Sequence, residues 1–160
     1  MLNLVEYGAA TDLPTLLIVH GLFGSARNWG AIAKRMSDSR RVVAVDMRNH
    51  GESFRADSQS YPDMAADLAE VIGGIGAPVD VMGHSMGGKA AMQLALTRGD
   101  LVNRLVVADI APVAYEHSQA HLIDAMRHLD LNDLAQRSEA DRRLAVELHS
   151  PAIRAFLLQS

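Results

Sequence analysis

The chain has 160 residues, enough for one domain with a real core, and a formal net charge of −4 at pH 7. This acidic balance argues against nucleic acid or an anionic membrane as a partner. The lack of cysteine excludes disulfides and a thiol nucleophile. The first residues hold no basic region followed by a long apolar run, so we expect no signal peptide, no membrane span and a cytoplasmic location. Nothing in the sequence supports a metal, a nucleotide or a flavin, and we expect no cofactor.

Segments with strand character alternate with segments of helical periodicity, which predicts an α/β protein. The predicted strands cover residues 2–7, 15–19, 41–45, 79–82 and 102–108, and the predicted helices between them cover 28–37, 60–72 and 86–97. The apolar run of residues 15–19 is typical of a central parallel strand that is covered on both faces.

The strongest functional motif is Gly83-His84-Ser85-Met86-Gly87, a G-x-S-x-G elbow between a predicted strand and a predicted helix. A turn this sharp strains its central residue, and the flanking glycines avoid collisions with neighbouring backbone. Ser85 is therefore the predicted nucleophile, and the N–H of Met86 at the helix N-terminus is a predicted oxyanion donor. The alternative is an ordinary glycine-rich turn in which Ser85 only caps the helix.

A second glycine-bearing loop, residues 20–25, follows the predicted central strand. Open α/β sheets bind ligands at such strand ends, and loops of this kind supply a second oxyanion N–H. Leu22 is the first candidate for that donor and Phe23 the second. His20 is expected to brace the loop by hydrogen bonding, because a catalytic base must reach Ser85 from the opposite side of the oxyanion hole.

A third loop, residues 46–53, reaches the same edge of the sheet from the next predicted strand. We interpret Asp46 and Arg48 as charges that brace the loop. We expect His50, beside Gly51, to hydrogen-bond backbone and not to react with substrate.

Asp109 follows the last predicted strand and lies at the same edge as the nucleophile. It is a candidate acid for a catalytic triad. The alternative is a loop cap that orders the chain before Pro112.

Helical periodicity without strands predominates after residue 115, over residues 115–129, 131–137, 138–148 and 151–159. We predict that these helices form a lid. His117 and His121 are four residues apart, but the H-E-x-x-H pattern is absent and we predict no zinc site.

Four segments in this order resemble the α/β-hydrolase fold family, and more narrowly its YbfF-type esterase branch with the abhydrolase-domain-11 proteins: 20–25 (HGLFGS), 46–53 (DMRNHGES), 83–89 (GHSMGGK) and 107–112 (VADIAP). The resemblance implies a mostly parallel sheet truncated after the sixth strand, with residues 1–112 as the N-terminal part of the core and 113–160 as the helical lid. It also implies a serine esterase or thioesterase that hydrolyses a small-molecule acyl ester or thioester through an acyl-enzyme on Ser85.

The family's triad order is nucleophile, acid, then histidine, with the histidine after the last strand. No strand pattern follows Asp109, so we expect the C-terminal core strands and the catalytic histidine to be absent here. One hypothesis is that a complementing C-terminal chain supplies them, with the triad acid either at Asp109 or beyond residue 160. The alternative is a non-catalytic module of the same fold that binds a small ligand.

Overall fold

The computed structural model of the protein describes residues 1–115 and 118–159. The chain divides into two compact units, Met1–Pro112 and Val113–Ser160. We call them the core unit and the C-terminal helical unit. None of the helices within the described ranges is long and apolar enough to cross a membrane.

The core unit contains one sheet of five strands, β1 (Leu4–Tyr7), β2 (Leu16–Val19), β3 (Val42–Val45), β4 (Val79–His84) and β5 (Val102–Ala108). Their order in the sheet is β1-β3-β2-β4-β5. Only β1 runs antiparallel to its neighbour, while β2, β3, β4 and β5 pair in parallel. The mostly parallel α/β sheet is therefore confirmed, but β5 is the fifth strand of this chain and not the sixth.

Helices cover both faces of this sheet, which explains why β2 and β3 are apolar at every position. Alternate residues point to opposite faces, so Leu16 and Ile18 of β2 join one apolar cluster while Leu17 and Val19 join the other. The first cluster includes Ala33 of α1 (Gly30–Met36). The second holds the apolar stripes of α2 (Tyr61–Ile75) and α3 (Met86–Thr97).

The second long helix, α2, begins as the sequence predicts and ends later. Ser60 is its N-cap, and the Ser60 side chain accepts a hydrogen bond from the backbone N–H of Asp63. The helix continues through Gly73 and Gly74, beyond the predicted end at residue 72. It ends at Gly76, whose φ of 97° only glycine adopts without strain. Packing of the buried stripe of α2 therefore outweighs the low helix propensity of the two glycines.

The first turn of α3 lies directly against the backbone of the strands beneath it. A Cβ atom on Gly87 would overlap the carbonyl groups of Val19 and His20 at the end of β2. A Cβ atom on Gly83 would overlap the carbonyl of Gly87. Both positions require glycine because backbone, unlike a flexible side chain, cannot move aside.

The C-terminal helical unit holds α4 (Ala120–His128), α5 (Arg137–Leu144) and α6 (Pro151–Leu157). Buried Arg154 joins α6 to α5, because its guanidinium donates to Asp141 at 2.8 Å and to the carbonyl of Leu148 at 2.8 Å. The side chain of Ser150 caps α6, with Pro151 in its first turn.

The predicted helix over residues 131–137 is wrong. Asp130 instead accepts the N–H of Asn132 at 2.9 Å, and Asp133 adopts a left-handed φ of 56°. These local bonds compete with helix formation. Of the two histidines considered for zinc, His117 lies outside the described residues.

A matched pair of glycine substitutions tests this packing. Gly87→Ala should lower the free energy of unfolding by more than about 2 kcal/mol, because the new methyl group meets two backbone carbonyls. Gly73→Ala should raise it by about 0.5–1 kcal/mol, because nothing lies within 4 Å of the new methyl and alanine is the better helix former. Urea unfolding followed by circular dichroism measures both, and equal effects of the two substitutions would contradict the analysis.

Candidate active site

Ser85 occupies a strained elbow between β4 and α3. Its φ of 50° and ψ of −115° lie far from both strand and helix values. Two hydrogen bonds hold this backbone, because the Ser85 N–H donates to Ala108 at 3.0 Å and its carbonyl accepts from Lys89 at 3.1 Å. The side chain makes no cap hydrogen bond. The geometry therefore speaks against the alternative in which Ser85 only caps the helix, and it leaves the hydroxyl at the carboxyl edge of the sheet.

The loop after β2 lies against this elbow. A Cβ atom built on Gly21 would be 3.2 Å from the Cβ of Ser85 and 2.9 Å from Nδ1 of His84. Gly21, the residue before Leu22, therefore adjoins the elbow. Within the core unit, no acceptor is found for the N–H of Leu22 or for that of Met86 at the start of α3. Both N–H groups remain available to an oxyanion.

Phe23 differs from Leu22 in this respect. It has a left-handed φ of 60°, and its N–H donates to Nε2 of His50 at 3.1 Å. This N–H is therefore not available to an oxyanion in the structure, which corrects the inclusion of Phe23 among the candidate donors.

His20 is buried and binds backbone with both ring nitrogens. Nδ1 lies 2.7 Å from the carbonyl of Gly21, and Nε2 accepts the N–H of Met47 at 2.9 Å. Burial lowers the pKa of His20 to about 4, since a charged imidazole would lose its hydration. The expected bracing role of His20 is confirmed, and the ring is neutral at physiological pH.

Asp46 joins three separate segments of the core unit. Its carboxylate accepts from the N–H of Ala26 at 2.7 Å, from the side-chain amide of Asn3 at 2.8 Å and from the N–H of Glu52 at 3.0 Å. Burial alone would raise the pKa of Asp46, but these donors outweigh it and hold the pKa below its ordinary value. A Cβ atom on Gly51 would overlap this carboxylate, which explains the glycine there.

Arg48 also has the bracing role that the sequence predicts. It donates to both carboxylate oxygens of Asp67 on α2, at 2.6 and 2.8 Å. Neither Asp46 nor Arg48 is in contact with Ser85 in the described structure.

Asp109 follows β5 with a left-handed φ of 56°, and 85% of its side chain is exposed. Its carboxylate lies 3.6 Å from Nε2 of His84, which is too long for a hydrogen bond. Among the described residues, nothing donates to the Asp109 carboxylate, so it does not cap the loop before Pro112. The structure brings Asp109 to the edge that holds Ser85, beside His84.

Sequence reasoning did not find how the two loops are joined. His20 lies in the loop after β2 and accepts the backbone N–H of Met47, which lies in the loop after β3. In the other direction, His50 of the loop after β3 accepts the backbone N–H of Phe23 in the loop after β2. The only signal in the sequence is that each loop contains a His-Gly dipeptide, at residues 20–21 and 50–51.

Comparison with protein-family models matches residues 14–158 of the chain to the model described as "alpha/beta hydrolase fold". The sn-1-specific diacylglycerol lipase ABHD11 of Mus musculus is 42% identical over an alignment 166 residues long, which covers 98% of this chain and 53% of that protein. Esterase YbfF of Escherichia coli strain K12 is 37% identical over 150 residues, which cover 91% of this chain and 58% of that protein. The chain thus spans about half the length of the curated relatives it matches.

Among solved structures, a marine microorganism esterase superposes with a TM-score of 0.92 at 38% identity. The superposition covers 99% of this chain and 62% of the esterase chain. The thioesterase domain from the curacin biosynthetic pathway superposes with a TM-score of 0.67 at 25% identity. This superposition covers 98% of this chain and 62% of the thioesterase chain. These relatives confirm the family resemblance that the four loop segments indicate.

The neutral His20 predicts a loss of stability in acid. Between about pH 6.5 and about pH 4 the unfolded chain binds a proton on His20 that the folded chain does not, so stability falls as the pH falls through this window. The loss attributable to His20 should reach about 3 kcal/mol. Urea unfolding at several pH values should show a shallower acid dependence for His20→Gln than for the unsubstituted protein. The exposed His121→Gln serves as control, and an unchanged dependence in His20→Gln would contradict the assignment.

Proposed function

The chain belongs to the α/β-hydrolase fold family, and we propose that it holds the nucleophile and the oxyanion hole of a serine hydrolase acting on carboxylic esters or thioesters. The observation that carries this proposal is the strained elbow at Ser85, whose hydroxyl is not used to cap α3. Met86 follows Ser85 in the chain, and Leu22 follows Gly21, which adjoins the elbow; neither N–H group has an acceptor within the core unit.

The proposed reaction begins with attack of the Ser85 hydroxyl on the acyl carbonyl carbon. Negative charge develops on the carbonyl oxygen, and the N–H groups of Leu22 and Met86 stabilise it, aided by the positive end of the α3 dipole. The C–O or C–S bond then breaks, the alcohol or thiol leaves, and the acyl group remains on Ser85. Hydrolysis of this acyl-enzyme by water releases the acid and restores the hydroxyl.

Ser85 needs a general base to accept its proton, and the histidines of the core unit are poor candidates for that role. Both ring nitrogens of His20 and of His50 bind backbone groups. His84 makes no hydrogen bond to Ser85 in the core unit. We therefore propose that a histidine from outside this sequence, on the same polypeptide or on a complementing chain, activates Ser85 and that Asp109 is the candidate acid behind it.

The outer edge of β5 is the proposed place for such a complementing segment. Among the described residues only β4 pairs with β5, so β5 is the last strand of the sheet at that side. An edge strand presents a row of backbone N–H and C=O groups with which a further strand can pair.

An ester or thioester substrate accords with the named relatives, which include a diacylglycerol lipase, two esterases and a thioesterase domain. We propose an acyl group of apolar character, because leucine and alanine predominate at the apolar positions of the C-terminal helical unit.

Covalent labelling tests the nucleophile. The native protein that contains this chain is incubated with an alkyl fluorophosphonate, and intact-mass and peptide mass spectrometry locate the adduct. We expect one adduct, on Ser85, and none in Ser85→Ala, whose ester hydrolysis should fall at least about 10³-fold. Ser138→Ala, at an exposed position of the C-terminal helical unit, should be labelled like the unsubstituted protein.

Absence of an adduct, together with a raised melting temperature in the presence of a carboxylic ester, would instead support the non-catalytic binding module.

Substitution of Asp109 tests the candidate acid. Asp109→Asn should lower kcat about 10²-fold or more with KM little changed, because the base would lose the charge that orients and stabilises it. Asp100→Asn is the matched control, since Asp100 is also exposed but pairs with Arg98 before β5. Equal rates for Asp109→Asn and the control would place the triad acid elsewhere.

A further inference from the structure

Two loops of the candidate site are joined by a reciprocal pair of histidine-to-backbone hydrogen bonds. Nε2 of His20 accepts the N–H of Met47 at 2.9 Å, and Nε2 of His50 accepts the N–H of Phe23 at 3.1 Å. The two rings lie side by side, with their centroids 5.1 Å apart. Each loop therefore supplies the histidine that binds the backbone of the other.

The His50 ring is held in one tautomer. Its Nδ1 lies 2.9 Å from the carbonyl of Arg48, and a carbonyl can only accept, so Nδ1 bears the hydrogen. This leaves a lone pair on Nε2 to accept from Phe23. The guanidinium of Arg48 is itself fixed by Asp67 on α2, so the bond to Phe23 extends from a rigid part of the core unit.

Phe23 needs such a bond because its backbone is sterically disfavoured. Its φ of 60° lies in the left-handed region, which a bulky residue rarely adopts. It is the third residue of a turn that the N–H of Gly24 closes onto the carbonyl of Gly21 at 3.0 Å. A positive φ at the third position is typical of a type II turn and usually calls for glycine. If the peptide group between Leu22 and Phe23 flipped, the carbonyl of Leu22 would point at Nε2 of His50 in place of the Phe23 N–H. Two hydrogen-bond acceptors would then face each other.

We propose that His50 is a positioning residue for the oxyanion hole. By accepting the Phe23 N–H it keeps the turn Gly21–Gly24 in one conformation, and with it the N–H of Leu22 beside Ser85. The inference rests on the proposed function, since it concerns the same oxyanion donor. His50 itself does not touch substrate in this mechanism.

Two amide substitutions separate the bonds that His50 makes. The side-chain amide of glutamine reaches about as far as Nε2, so His50→Gln retains an acceptor for Phe23. The shorter amide of asparagine corresponds to Nδ1, so His50→Asn retains the bond to Arg48 and loses the one to Phe23. Both replacements are neutral and polar, and the imidazole is only partly buried, which makes them a matched pair.

The kinetics of labelling by an alkyl fluorophosphonate, measured on the native protein, give the first readout. We expect His50→Asn to lower the maximal labelling rate about 10- to 100-fold, which is less than the effect of deleting an oxyanion donor outright. The concentration of the fluorophosphonate that gives half of the maximal rate should stay within about twofold of the value for the unsubstituted protein. His50→Gln should stay within about threefold of the unsubstituted protein. Equal rates in His50→Asn and the unsubstituted protein, or equal losses in both variants, would overturn the inference and leave the proposed function standing. No labelling of the unsubstituted protein would overturn the proposed function and the inference with it.

Amide hydrogen exchange gives a second readout that needs no activity. In the unsubstituted protein the Phe23 N–H should exchange at least about tenfold more slowly than in an unstructured peptide, and this protection should disappear in His50→Asn but not in His50→Gln. An unprotected Phe23 N–H in the unsubstituted protein would overturn the inference even if a variant did not fold.

Discussion

The close approach of α3 to the carboxyl end of β2 is the constraint on which the candidate site depends. Gly87 meets the carbonyls of Val19 and His20 with no room for a methyl group, and Gly83 meets the carbonyl of Gly87. The chain can turn from β4 into α3 in this space only if Ser85 takes up a strained backbone conformation. The surrounding sheet maintains this strain. The hydroxyl makes no cap hydrogen bond, and the N–H of Met86 has no acceptor within the core unit.

Buried polar bonds join the loops around the proposed nucleophile. His20 and Asp46 are each less than a tenth exposed, and each binds backbone of another segment. The two groups respond to burial in opposite ways. Desolvation dominates at His20 and keeps it neutral, so that it can both donate and accept. At Asp46 the surrounding N–H donors outweigh desolvation, so the carboxylate stays charged and accepts three bonds. The neutral ring suits the carbonyl and the N–H that His20 binds, and the charged carboxylate suits the N–H donors around Asp46.

The core unit therefore presents one half of the proposed hydrolytic site. The proposed nucleophile, the two proposed oxyanion donors and the bracing network all lie within residues 1–112. The acid candidate Asp109 stands exposed at the same edge, and β5 presents a free side to a further strand. A base that arrives with an added segment at β5 would approach an elbow whose geometry is already set, because the hydrogen bonds that hold the backbone of Ser85 come from Ala108 at the end of β5 and from Lys89 in α3.

The sequence by itself determined the sheet, the elbow and the family. Continuous apolar runs mark β2 and β3 because both faces of these strands are buried, and the G-x-S-x-G motif marks Ser85 because the steric need for its glycines is local. Tertiary structure alone decided the rest. Packing of α2 carries that helix past Gly73, against local propensity. The backbone N–H groups that donate to His20 and His50 each lie 27 residues away along the chain, so only folding could show which N–H each ring accepts and which proposed oxyanion donor has no acceptor within the core unit.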